Sequence, residues 1–328
     1  MRRFNVIFRK YILFWALLAM VTGYLAGKFN HARVDACSFL LTPFAFFMMF
    51  IMVFPSSLAS LLNLRLYAAP IAASFVLLLL APVVAYAVSA VIPEPFFYLR
   101  TGIVISATVP PNAMISAWTA FLEGDVLLSF IIQSFSALVG LLIMPFGTRI
   151  LFHGLSSFSL VLLLRNLFFL VVIPFVLGAV VRKVFRHYLT DDLIKKVKPT
   201  LSSLSGIIEL FIIMISVGLK ADIISDYPVI ILWGVFTAAL YHLASFVISL
   251  YGVKLFRFNY GNAVPLVYQN GTKNLSVAMV IAITSFESRS ALGVAACILA
   301  QFPISALFYS LISRHKTFLM NQEMDGAS

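Results

Sequence analysis

Apolar residues in this chain come in long uninterrupted blocks, with no strict alternation and no one-sided helical stripe. The blocks fall at 11–27, 34–54, 69–92, 102–121, 126–146, 164–181, 204–221, 229–252, 263–285 and 291–313. Each reaches or approaches the roughly 20 residues with which a helix crosses a hydrocarbon core of about 30 Å. Strands of an outer-membrane barrel would alternate in and out with period two, and these blocks do not. The pattern predicts an all-α membrane protein of ten transmembrane helices. The first block follows a basic segment and lacks a small-residue cleavage site, so it reads as a span and not as a removed leader.

Composition agrees. The chain of 328 residues is 62% hydrophobic and 11% charged, with mean hydropathy +1.04, whereas soluble domains carry roughly 25% charged residues. The net charge of +11 would suggest a nucleic-acid partner in a soluble protein. Here the basic residues lie between apolar blocks and act as topology signals, so the expected partner is the lipid bilayer and not nucleic acid. With the N-terminus inside, 15 of the 23 Lys and Arg fall on the inner side and 7 on the outer. The inner group includes Arg182, Lys183, Arg186, Lys195, Lys196 and Lys198. The positive-inside rule then predicts a multi-pass protein of the cell (inner or plasma) membrane with both termini cytoplasmic. The two cysteines, Cys37 and Cys297, are too few and too distant for a disulfide framework and are expected to be buried free thiols.

Two of the blocks are interrupted. The fourth contains Pro110-Pro111-Asn112, and a double proline removes backbone donors and clashes with the preceding turn. The ninth contains Gln269-Asn270-Gly271-Thr272-Lys273-Asn274, with no large apolar side chain. Asn112 and Asn270 are 158 residues apart, as are Pro145 and Pro303 in the blocks that follow. A duplicated unit with an odd number of spans enters the membrane in opposite orientations. The expected architecture is therefore two inverted five-helix repeats, 1–150 and 160–328. Non-helical backbone at membrane depth survives only where it is buried or lines a cavity. Paired broken helices aim half-helix N-termini at anions and freed carbonyls at cations. That is a site for a charged small solute.

Two ionisable residues lie inside blocks, Lys273 and Glu209, and such residues usually face an interior or a pathway and have a partner. Lys273 can occupy a cation position, bind an anionic substrate, or lose its proton during a cycle. An ion pair with Glu209, or a snorkelling Glu209, is the structural alternative. Arg165, at a block edge, reads as snorkelling and His242 as a hydrogen-bonded helix residue. Gly124-Asp125 reads as a turn. No metal-ligand spacing, P-loop, H-E-x-x-H or nucleophile elbow is present, which argues against an enzyme, a resident metal and a cofactor.

Val109-Pro110-Pro111-Asn112-Ala113-Met114 through Trp118-Thr119 to Gly124-Asp125, and Asn270-Gly271-Thr272-Lys273-Asn274-Leu275-Ser276, resemble the span-4 and span-9 motifs of the bile acid:sodium symporter superfamily. The arsenite-efflux permeases are a distant branch of it. The likeness in spacing covers roughly 70–150 and 225–312. The resemblance implies a core domain of spans 3–5 and 8–10 and a panel domain of spans 1, 2, 6 and 7. Spans 4 and 9 would cross at their breaks, with substrate held between core and panel. Pro110, Pro111, Asn112, Asn270, Gly271, Thr272, Lys273 and Asn274 would then form the crossover.

Departures from the family pattern qualify the implied chemistry. Arsenite permeases carry a cysteine and a glutamate where this chain has Pro111 and Ser276. The first sodium site of the symporters would draw here on Ser116, Ser129, Gln133 and Gln269, with the family's glutamate replaced by an amide. At the second, Lys273 replaces a glutamine, and the span-3 glutamine falls near Leu77. The expectation is a secondary transporter of a small organic anion, working by alternating access. Na+ is dispensable or limited to one ion, because Lys273 stands in for the second. The alternatives are an arsenite-type permease, a non-transporting membrane receptor, or an intramembrane enzyme using Lys273 and Glu209.

Overall fold

The structure, a computed structural model, describes residues 11–53, 67–112, 114–151, 161, 164–165, 168–185, 188, 190–226 and 228–314. Among these the regular elements are all helical. In chain order they are α1 (Ile12–Ala36), α2 (Leu41–Val53), α3 (Ala68–Val88), α4 (Phe97–Thr108), α5 (Met114–Phe121), α6 (Val126–Leu151), α7 (Ile173–Val184), α8 (Asp191–Gly218), α9 (Ala221–Asp226), α10 (Pro228–Leu255), α11 (Tyr260–Gly271), α12 (Leu275–Ser285) and α13 (Ala291–Arg314). A π-helical stretch, Phe168–Val172, leads into α7. Ala68–Val91, Pro228–Leu255 and Ala291–Arg314 are each long and apolar enough to cross a membrane. Shorter apolar helices occupy Ser38–Phe47, Val126–Ala137 and Gly206–Gly218.

Helix ends differ from the apolar block ends where a helix runs on into a polar segment. The polar stretch after the first block contains neither Gly nor Pro, so α1 runs on through Lys28 and Arg33. It bends at Asn30 (φ −152, ψ 66). Similarly, α8 starts at Asp191, because Thr190 caps it by accepting from the Leu193 N–H at 3.3 Å. The basic segment before the seventh block is therefore the polar first half of a helix, and the apolar second half follows without a loop. Cys297 is a buried free thiol, but Cys37, at the end of α1, is exposed; the polar end of α1 leaves it outside the packed helices.

Two sets of helices pack among themselves. One comprises α1, α2, α7 and α8; the other comprises α3 to α6 and α10 to α13. Glycines bring their members close. A Cβ on Gly23 would lie 2.2 Å from the Met214 carbonyl oxygen, and one on Gly27 2.1 Å from that of Gly218. These contacts run in the same direction along both chains, so α1 and α8 are parallel. In the second set, a Cβ on Gly293 would lie 2.2 Å from the Leu99 carbonyl oxygen, and one on Gly102 2.0 Å from that of Ser290. Small residues at such crossings let membrane helices pack backbone to backbone, which raises dispersion contact where no hydrophobic force distinguishes protein from lipid. The two sets meet along α12, which touches α2 and α8, and along α13, which touches α1 and α8.

Candidate functional site

Both interrupted blocks break where expected, each for its own reason. Val109 is extended (φ −72, ψ 153), the conformation that a following proline imposes, and α4 ends one residue earlier. The chain restarts as α5, with the Met114 N–H donating to Asn112 Oδ1 at 3.1 Å. The second break has no proline. There α11 ends at Gly271 and Thr272 is extended (φ −120, ψ 116). Asn274 then caps α12 by accepting from the Val277 N–H at 3.3 Å. In both breaks an asparagine side chain thus accepts from an N–H in the first turn of the half-helix that follows, which satisfies a donor that a helix start leaves orphaned.

The two breaks touch through the backbone. The Asn274 N–H donates to the Pro110 carbonyl at 2.9 Å, so a carbonyl freed by the first break takes a donor freed by the second. This backbone pairing accounts for two polar groups that would otherwise be costly at this depth. Gln301 of α13 holds the other side. Its Oε1 accepts from the Lys273 N–H at 2.7 Å, and its Nε2 donates to the Lys273 carbonyl at 3.2 Å. His242 Nδ1 donates to the Gly271 carbonyl at 3.2 Å. A Cβ on Gly271 would fall 2.2 Å from the Phe246 ring, so only glycine fits beneath that ring.

Asn270 and Gly271 therefore belong to the last turn of α11 and not to the break itself. Asn270 Nδ2 donates to the Ser245 carbonyl at 3.4 Å and ties α11 to α10. The place that Asn112 holds in the first break is held in the second by Asn274, 162 residues later, and not by Asn270.

Lys273 is fully buried, and its ammonium makes no hydrogen bond. It lies close enough for its charge to act on the His242 ring, whose Nε2 is also unpartnered. Glu209, half-buried on α8, does not reach it. Its carboxyl faces the Ser276 hydroxyl in the first turn of α12, without the geometry of a full hydrogen bond. In this conformation Lys273 and Glu209 are not an ion pair.

The residues expected to hold sodium divide into two pairings. The Ser116 and Ser129 hydroxyls lie 2.8 Å apart. Gln269 instead donates to Ser136 Oγ and to the Ser74 carbonyl, both at 3.1 Å. Ser129, Gln133 and Ser136 are spaced i, i+4, i+7 and so share one face of α6. Gln133 Nε2, Gln269 Oε1 and Ser74 Oγ are buried without partners, as are Asn112 Nδ2, Asn270 Oδ1 and Ser276 Oγ around the crossover. Buried polar atoms without protein partners are exceptional and call for an explanation such as a bound solute or water. Leu77, in contrast, is packed among Phe246, Tyr268 and other apolar side chains, so α3 offers no oxygen there. No group of three His, Cys, Asp or Glu placed to hold a metal occurs among the described residues. Asp125 makes a turn as expected, and more: it accepts from the Leu128 N–H and the Tyr67 hydroxyl at 2.9 and 2.8 Å, while its own N–H donates to the Gly261 carbonyl. Arg165 is exposed.

The family model described as the Sodium Bile acid symporter family matches residues 42–227, more than half of the chain. The chain belongs to the sodium bile acid symporter family. It is thus an integral membrane protein of a transporter family, in keeping with its apolar helices. The match covers the first break; the second lies beyond it. An uncharacterized protein of Bacillus subtilis (strain 168), YbaS, is similar at 24% identity over 227 residues, 68% of this chain and 72% of that one.

Sequence reasoning missed Gln301, Ser74 and Ser136. Gln301 carried a visible signal, an amide in the middle of an apolar block beside Pro303. The serines carried none, since isolated serines are ordinary in membrane helices.

Proposed function

We propose that this family member is a secondary transporter that carries a small organic anion across the cell membrane by alternating access. In this reading ten spans form two inverted five-helix repeats, meeting between residues 150 and 160, with both termini cytoplasmic. The set α3 to α6 with α10 to α13 is the core; α1, α2, α7 and α8 form the panel against which it moves. Parallel packing of α1 and α8 is what odd-numbered spans of equal orientation require. The observation that carries the reading is the crossover, where Asn274 and Pro110 share a backbone hydrogen bond beside the unpaired Lys273 ammonium. A positive charge among half-helix N-termini attracts an anion.

Lys273 also decides the coupling ion. A sodium ion needs several oxygens, and the second family site offers an ammonium and the apolar Leu77. Transport is therefore sodium-independent, or uses one ion at the Ser116, Ser129, Gln133 and Gln269 amides and hydroxyls. The test is counterflow in proteoliposomes with labelled taurocholate, pyruvate and succinate, with and without a sodium gradient. Exchange without sodium, and new sodium stimulation in Lys273→Gln, are expected. Uptake driven by two sodium ions and abolished by Lys273→Ala would sink the reading, as would movement of neutral or cationic solutes alone.

A further inference from the structure

Glu209 is the ionisable side chain of the membrane interior that the reading above leaves without a task. It sits on α8, in the helix set opposite the crossover, yet its carboxyl points at the first turn of α12. That turn is built to receive a negative group. The α12 N-terminus carries partial positive charge, Lys273 lies three residues before Ser276, and the Ser276 hydroxyl is fully buried without a hydrogen-bond partner. The group now facing this end belongs to the protein itself.

Among the described residues, the helices packed around Glu209 place no countercharge beside it. Of the helices packed on α8, neither α2 nor α12 contains a titratable residue. On α13 these are Cys297, Tyr309 and Arg314; on α1 they are Tyr24, Lys28, His31, Arg33 and Asp35. Because Gly23 packs on Met214 and Gly27 on Gly218, the charged end of α1 lies beyond Glu209 by more than two helical turns. The Tyr24 hydroxyl is bonded to Ser225. On α8 itself Asp191, Asp192, Lys195, Lys196 and Lys198 lie more than two turns earlier. Among the described residues, the polar group that acts on Glu209 is Ser276.

An anionic substrate drawn to the α12 end would meet this carboxyl, and two negative groups sharing one site cannot both stay ionised without a cation between them. We propose that Glu209 is the proton-coupling residue of the transporter. It takes a proton from the aqueous side on which the site is open, the anion binds beside the neutral acid, and the proton is released with the anion on the other side. One proton travels with each anion. This rests on the anion-transport reading.

The test uses the full chain in proteoliposomes loaded with the pH dye pyranine, and labelled taurocholate, pyruvate and succinate as probes, with protein-free vesicles as background. For a monovalent anion such as taurocholate or pyruvate, one proton per anion across one pH unit supports about tenfold accumulation, with matching acidification of the lumen. Glu209→Gln, which mimics the protonated acid, should lose accumulation and acidification, and its residual anion exchange should no longer depend on pH. Glu209→Asp should keep coupling with a displaced pH profile, which a purely structural role would not produce. Accumulation in Glu209→Gln equal to wild type would overturn the proposal. So would wild-type exchange without proton flux, the result expected if Glu209 merely swings aside. Absence of any anion exchange in the wild type would remove the anion reading and this proposal together.

Discussion

Replacing Gln301 by leucine tests whether one side chain holds the second break in shape. The amide meets both polar groups of the Lys273 peptide, at 2.7 and 3.2 Å. Leucine keeps the volume and loses both contacts. The two lost bonds do not weigh equally. The Lys273 carbonyl still accepts from the Leu275 N–H at 3.0 Å, so it remains satisfied. The Lys273 N–H is left a buried donor with no acceptor, which costs about 1–3 kcal/mol. Interhelical hydrogen bonds in membranes average only about 0.6 kcal/mol, with a maximum near 1.7, because the unfolded chain finds other partners. An extended break has no such substitute within its own helix, so the expected loss is about 1–2 kcal/mol.

The assay is thermal unfolding of purified protein in detergent, followed by tryptophan fluorescence; Trp118 stacks on Tyr268 at 5.6 Å, one turn before the break. A loss of this size lowers Tm by about 2–8 °C, given that 1 kcal/mol shifts mid-sized domains by about 2–4 °C. Gln301→Ala should be worse, since it adds a cavity to the same orphaned donor. If Gln301→Leu melts with the wild type while Gln301→Ala does not, Gln301 is a packing residue. The argument from paired backbone groups then fails.

Two further outcomes follow from local geometry. Gly293→Ala should destabilise by about 1–3 kcal/mol, because the new methyl meets backbone of α4 at 2.2 Å; Gly140→Ala, whose methyl would meet Pro110 at 3.5 Å, should be neutral or slightly stabilising. Tyr67 donates to Asp125, and burial with this carboxylate pushes its hydroxyl up to about 12. A raised phenol stabilises the fold fully below about pH 10 and loses that contribution as pH rises through about 12. Tyr67→Phe should therefore lower Tm modestly at pH 7 and erase that alkaline step, as measured by melting across pH; an unchanged alkaline profile would refute the assignment.

The breaks were legible because their causes are chemical and local: two prolines in one, a run of amides and small residues in the other. Their correspondence was not. Matching Asn112 with Asn270 compared letters, whereas by task, accepting from an N–H in the first turn of the half-helix that follows, Asn112 resembles Asn274. The shift arises because α4 must end ahead of Pro110-Pro111, whereas α11 keeps its hydrogen bonds to Gly271 and leaves only Thr272–Asn274 outside. Ends of α1 and α8 were misjudged for a related reason. Apolar blocks mark where lipid would begin, but α1 runs on through Lys28 and Arg33, and α8 starts at the Thr190 cap and passes through Pro199. The Gln301 amide stood out within an apolar block, but its task did not, because its partners are backbone groups remote in sequence, which a pattern of side chains does not encode.

Scarcity of charge gives the two interior ionisable residues their weight. Each costs about 2.5–3.5 kcal/mol at the centre of a bilayer, and a direct Lys273–Glu209 pair would offset much of that. In this structure the ammonium sits on the break of one helix set and the carboxyl on the other set, with Ser276 between carboxyl and helix end. An ion pair serving only stability would have closed. An unpaired ammonium instead leaves a place where an anion lowers its energy once the carboxyl opposite has taken up a proton, and the cost of keeping the two groups apart is recovered when the anion binds. On that argument Lys273→Met and Glu209→Gln should each raise Tm in the absence of substrate while impairing transport; lower Tm in both would show that the charges stabilise the resting fold.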